Sequence, residues 1–267
     1  MSEQNVNGTV AVENSRGGNG FLVLLRHGQT VWSESGQHTG RTNIPLTAVG
    51  EQQAADAGRR LREAFPEGFS QGCVFSSPLK RACQTAELAG FADHGVLDGI
   101  AEWDYGRAEG RTRQQVSEAS GFEWDVWRDG PRSLTPTLEG DWVETLPSGE
   151  QVPVHAGPGE TLEEAAVRAK SAIDEITPLL KDGHMCCWWL MRTSCASSPR
   201  NGWAWTRISR GCCVWIRRTT RCSASIREIT SSNGGTPSPG CAVITLACPL
   251  LRAGLYCLWW ELRYVDK

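Results

Sequence analysis

Residues 21–25 read FLVLL, and the five that follow read RHGQT. An unbroken apolar run of strand length has no polar face to turn to water, so it must be covered on both sides, as an inner strand of a helix-flanked sheet is. Arg26, His27, Gly28, Gln29 and Thr30 then fall at the carboxyl end of that strand, where open α/β sheets bind ligands. The pattern downstream agrees with such a sheet. Thr47 reads as the N-cap of a helix over residues 48–65, with Ala54, Ala55, Leu61, Ala64 and Phe65 along one stripe. Residues 73–75 form a short β-type segment running into Ser76, Ser77 and Pro78, and residues 79–89 have helical composition. Residues 96–102 read as a weaker strand or extended segment. Thr161 and Glu164 make a capping box for a helix over 162–180, whose buried stripe is Ala165, Ala166, Ala169, Ile173 and Ile176. Alternation of strand and helix predicts an α/β fold, a three-layer α/β/α sandwich with a mostly parallel central sheet. Residues 121–159, rich in Trp, Pro and Gly, read either as a lid over a site or as an insertion packed by its own aromatics.

The 267 residues allow one to two domains, and 40% hydrophobic content suffices for a full core. The opening stretch, residues 1–20, is polar and Gly-rich, without an apolar signal region; it reads as a disordered leader on a cytoplasmic protein. The longest apolar stretch, 241–251, contains a proline and stops at Arg252, short of the roughly 20 residues that span a bilayer, so no membrane association is expected. Charge is unevenly divided. Residues 1–184 hold 16 Lys and Arg against 27 Asp and Glu, whereas residues 185–267 hold 11 against 3, together with 9 of the 11 cysteines and 7 of the 12 tryptophans. The two parts follow different rules of composition.

Arg26 and His27 by themselves suggest phosphate chemistry. A guanidinium binds phosphate oxygens in bidentate fashion, and a neutral imidazole with one nitrogen fixed can attack phosphorus with the other. The longer string RHGQTVWSESGQHTGRTNIPLT resembles the start of the histidine phosphatase superfamily, also called the phosphoglycerate mutase-like family. Three further matches follow in that family's order. Residues 76–82 (SSPLKRA) are similar to its S-x-x-x-R-A-x-Q-T-A element, residues 102–106 (EWDYG) with Glu109 and Gly110 to its E-x-x-x-G-x-x-E-G element, and Gly159, Glu160 and Thr161 to its G-E-S/T helix start. The resemblance implies that His27 becomes a phosphohistidine, that Arg26 and Arg81 neutralise the phosphoryl oxygens, and that Glu102 is the proton donor. It implies that Thr39, Gly40 and Tyr105 line the substrate pocket and that no metal or other cofactor takes part. For each of these residues the alternative is a surface salt bridge or a cap. His38 falls inside the pocket motif, while His94 and His155 read as solvated loop residues.

SGQHTGRTNIPLT, EWDYG and WDVWRDGP are more similar to the phosphatase branch that includes sedoheptulose bisphosphatase-like enzymes than to the cofactor-dependent mutases. The expected partner is therefore a small phosphorylated metabolite, such as a sugar phosphate, and not nucleic acid; the oligomeric state is open. A phosphoglycerate mutase and a noncatalytic pseudoenzyme that binds phosphorylated ligands are the alternatives.

The resemblance also implies a second histidine in an apolar strand after the 162–180 helix, yet no histidine follows His184. The codons offer an account. Read with the third base of each codon joined to the first two of the next, the junctions from Met185 to Trp189 must spell Val-Leu-Leu-Val. The junctions after them permit Ala-His-Ala-His, an apolar residue and Leu, which is the missing motif. Further on, the junction of Trp215 and Ile216 forces Asp, within a Leu-Asp-Thr-Ala-like string of the kind the family carries. The organisation expected is a leader at 1–20, an incomplete family domain at 21–184, and an irregular Cys-, Trp- and Arg-rich tail at 185–267 that is a shifted translation and cannot supply the strand beside the first one. Disulfides, zinc and nucleic acid account for the tail less well, since there is no secretion signal, no C-x-x-C pair and no periodic basic face.

Overall fold

A computed structural model describes residues 22–190, with side chains through Trp189, and beyond them the backbone of four strands. The apolar run becomes β1 (Leu22–Arg26), followed by α1 (Val31–Ser35) and α2 (Ala48–Ala64). Next come β2 (Val74–Ser76), α3 (Lys80–Leu88), β3 (Gly95–Val96) and α4 (Arg113–Ser120). A hairpin of β4 (Gly140–Thr145) and β5 (Gln151–Ala156) precedes α5 (Leu162–Lys181) and β6 (Cys186–Leu190). The remaining strands are β7 (Trp203–Ile208), β8 (Cys212–Arg217), β9 (Ser225–Glu228) and β10 (Val243–Ala247).

Six strands form the main sheet in the order β3-β2-β6-β1-β10-β9, with β3, β2, β6 and β1 mutually parallel and β10 antiparallel to both neighbours. Successive side chains of a strand face opposite ways. Accordingly Leu22 and Leu24 of β1 pack with Ile173, Ile176 and Leu180 of α5, while Val23 and Leu25 pack with Ala57 and Leu61 of α2 and Ala86 of α3. The result is the expected three-layer sandwich. α5 starts at the predicted box, with Thr161 accepting from the Glu164 amide.

Three expectations differ. Only Gly95 and Val96 of the 96–102 region pair as strand; Asp98–Ile100 is a 3-10 turn laid on α5, where a Cβ on Gly99 would come within 2.6 Å of the Arg168 carbonyl. Residues 121–159 are a folded insertion: they carry the β4–β5 hairpin, Trp124 and Trp127 are among the residues lining a cavity, and Trp142 packs near Trp32. Most consequentially, the stretch after His184 does form the strand that the tail was expected to lack. β6 pairs with β1 from Cys186 opposite Leu22 to Leu190 opposite Arg26, and with β2 on its other edge. Cys and Trp are apolar enough to be buried, and Cys186, Cys187, Trp188 and Trp189 are all buried. The leader at 1–20 and most of the tail lie outside the described residues.

Candidate active site

The chain leaving β1 turns sharply under α2 and α3. The Gly28 amide donates to Thr85 Oγ1 at 3.1 Å and the Gln29 amide to Gln53 Oε1 at 2.9 Å. A Cβ on Gly28 would run into the Gly50 carbonyl, and one on Gly50 into the Gln29 backbone, so strand end and helix meet backbone to backbone. This junction seats His27. Its Nδ1 lies 2.7 Å from the Gly28 carbonyl, which can only accept, so Nδ1 carries the proton and Nε2 keeps its lone pair. Burial, and then the positive charges of Arg81 and Arg26, hold the ring well below its ordinary pKa of 6.5. It is a neutral imidazole at physiological pH.

His27 opens on a cavity of about 260 Å³ that Arg26, Thr39, Glu102 and Tyr105 also line. Five of the seven sequence-predicted residues thus meet in one space. Arg81 and Gly40 lie behind it. Arg81 is fully buried and spans the 39–42 loop, donating from Nη1 to the Thr42 carbonyl at 2.9 Å and from Nη2 to those of Thr39 and Gly40 at 3.0 and 2.9 Å. Its Nε is buried without a partner among the described residues. Burial lowers its pKa to about 10, which leaves it cationic. The same loop is held from the other side by Glu109, whose carboxylate accepts from the Gly40 and Thr42 amides at 2.9 to 3.0 Å. Burial pushes Glu109 up to about 7 against the pull of those donors and of Arg81. Arg81 is therefore no surface residue.

Glu102 is buried and accepts from the Trp103 amide at 2.8 Å. Around it the cavity wall includes residues not among those expected to form the site: Ser33, Gln37, Arg113 and Asp125 supply polar groups and exposed Trp127 ring surface, with Trp124 fully buried. His38 sits in this wall, edge-on to Tyr105 and Trp124 at ring separations of 5.0 and 5.2 Å, with Nδ1 on the Arg111 carbonyl. His94 bonds the Phe91 carbonyl, and exposed His155 pairs with Asp141; neither lines the cavity. A neutral, fixed imidazole beside two guanidinium groups and a buried carboxyl can accept, neutralise and protonate a phosphate ester.

A profile of the histidine phosphatase superfamily (branch 1) matches residues 22–188, and the chain belongs to that family. Among curated proteins, an acid phosphatase of Mycobacterium tuberculosis is 44% identical over 109 residues, covering 41% of this chain and 52% of the relative. A sedoheptulose 1,7-bisphosphatase of Saccharomyces cerevisiae is 36% identical over 126 residues, 40% of this chain and 46% of that one. A 2,3-bisphosphoglycerate-dependent phosphoglycerate mutase of Corynebacterium glutamicum is 36% identical over 130 residues, 46% and 51% of the two chains. The chain spans about half the length of these relatives. A solved open reading frame product of M. tuberculosis is similar at 32% identity and a TM-score of 0.49, over 65% of this chain and 74% of that one. Among the described residues no helix is long and apolar enough to cross a membrane.

Proposed function

We propose that the domain cleaves small phosphate esters, a sugar phosphate by preference, through a phosphohistidine at His27. The observation that carries this reading is the tautomer: with Nδ1 committed to the Gly28 carbonyl and the ring kept neutral, Nε2 is the nucleophile. In the first step Nε2 forms a bond to phosphorus as the ester P–O bond breaks, and the Glu102 carboxyl gives its proton to the departing oxygen. Water then attacks phosphorus, Glu102 takes back a proton, the N–P bond breaks and phosphate leaves. Arg26 and Arg81 offset the charge on the transferring group, and Thr39 and Tyr105 contact the remainder of the ester. A sugar is favoured by a wall that offers both ring surface, in exposed Trp127, and hydrogen-bonding groups, in Ser33 and Gln37.

The test measures phosphate release from a panel of sugar phosphates, with His27→Ala as control, and looks for a phosphate mass increment on His27 in enzyme quenched during turnover. Release into water with a modified His27 supports the reading. Transfer to a phosphoglycerate in place of water makes the protein a mutase, and equal rates for both proteins make it a noncatalytic binder.

We further propose that the chain from about residue 184 onward is read in a shifted frame. β6 supports this: the indole Nε1 atoms of Trp188 and Trp189 are buried and meet no acceptor among the described residues. Leaving a donor so costs about 1–3 kcal/mol each, whereas the shifted frame places Val, Leu, Leu and Val on this strand. Its next permitted histidine follows the position level with Arg26, one step beyond Leu190. Nucleotide sequence across codons 182–185 decides the matter; a stop codon in the shifted frame before the equivalent of residue 233 rules it out.

A further inference from the structure

The turn that carries Glu102 is gripped by one guanidinium. Arg168 of α5 donates from Nη1 to the carbonyls of Gly99 and Ala101 at 2.9 and 2.8 Å, and from Nη2 to that of Glu102 at 3.4 Å. Its remaining N–H groups go to Glu160, Nε to Oε1 at 2.8 Å and Nη2 to Oε2 at 2.7 Å, so all five donors are in use. Glu160 completes the grip on the far side of Glu102. Its Oε2 accepts from the Asp104 amide at 3.3 Å, its amide donates to the Asp104 carbonyl at 3.0 Å, and its carbonyl accepts from Trp103 Nε1 at 2.7 Å.

Every polar backbone atom held here belongs to residues 99–104. α5 itself needs none of these bonds, since it has its capping box and its stripe of Ala169, Ile173 and Ile176. The carbonyls of a 3-10 turn running into extended chain have no ladder to satisfy them, and the rigid planar fork of an arginine fixes three of them at once. The ion pair is itself largely shielded, with 19% and 12% of the two side chains exposed.

We propose that Arg168, braced by Glu160, is the positioning residue that sets the Glu102 carboxyl against the departing oxygen of the ester; this rests on the reading of Glu102 as proton donor. A proton donor matters for a poor leaving group and little for a good one, which separates positioning from a general loss of structure. The full chain and its Arg168→Gln, Glu160→Gln, Glu102→Gln and His27→Ala variants are compared for cleavage of glycerol phosphate and p-nitrophenyl phosphate. Arg168→Gln is expected to lower the ratio of the two rates by roughly 10²-fold, and Glu102→Gln by at least as much. A ratio unchanged within about threefold in Arg168→Gln, while Glu102→Gln lowers it, overturns the positioning role alone. If Glu102→Gln leaves the ratio unchanged, or His27→Ala matches the unaltered chain on both esters, the underlying reading falls and the inference with it. Should Arg168→Gln fail to fold, Glu160→Gln keeps the side chain's shape, removes the bracing charge and decides the question by the same ratio.

Discussion

β1 and β6 lie side by side at the centre of the sheet, in matching register and with the same alternation of faces, yet they fit the molecule differently. Leu22, Val23, Leu24 and Leu25 fill both layers with aliphatic groups that ask for nothing else, whereas Cys186, Cys187, Trp188 and Trp189 fill the same layers and bury two indole donors without acceptors among the described residues. Forming an inner strand requires only apolar side chains and a free edge on each side. Fitting it requires that no polar atom be stranded, and at the strand's end it requires particular chemistry. β1 ends in Arg26 and leads directly into His27; β6 reaches the level of Arg26 at Leu190.

The contrast can be broken most severely from the β1 side. Leu24→Ala should cost about 2–5 kcal/mol, read as a fall in the urea midpoint at unchanged slope; a loss under about 1 kcal/mol would mean β1 is not the better-packed strand. Arg26→Ala, which leaves the strand itself whole, should slow ester cleavage by about 10²-fold with little change in that midpoint. A parallel loss of stability would make Arg26 a structural residue. From the β6 side the effect is smaller: Trp188→Phe and Trp189→Phe each remove an N–H that meets no acceptor among the described residues, which offsets the packing lost with the smaller ring and should leave stability within about 1 kcal/mol. A loss as large as that of Leu24→Ala from either would show that its indole has an acceptor.

The smallest effect concerns pH. His27, held below 6.5 by burial, binds its proton more weakly folded than unfolded, so its contribution is present above 6.5 and is lost as pH falls through the lowered value. Glu109, raised from 4.5 to about 7, contributes in the opposite sense: stability is present below 4.5 and lost as pH rises through about 7. Urea midpoints measured across this window should therefore peak at lower pH in His27→Ala than in the unaltered chain. An unmoved optimum would mean that His27 is not titrating as its surroundings demand.

Much of this was legible from residue types. The apolar run, the polar residues ending it and the T-x-x-E box located β1, the site and α5, because burial on two faces and capping are local signals. α4 carries an equally local signal, Thr112 accepting from the Gln115 amide, and so does the alternation of Val152, Val154 and Ala156 in β5; neither is among the expected elements. Arg168 gave no such sign: its partners are backbone carbonyls 66 to 69 positions away, and a carbonyl has no letter of its own. β6 was misjudged for a different reason. Its odd composition argued against a strand, but the vacant slot between β1 and β2 selects for burial and tolerates almost any oily string.

The contact of Gly28 with Gly50 bears on how this domain can diversify. With no side chain between strand end and helix there is no shim to adjust, and any larger residue at either position would lever the imidazole out of place along with its carbonyl. On the proposed reading, change of substrate falls instead to cavity residues away from that contact, such as exposed Trp127.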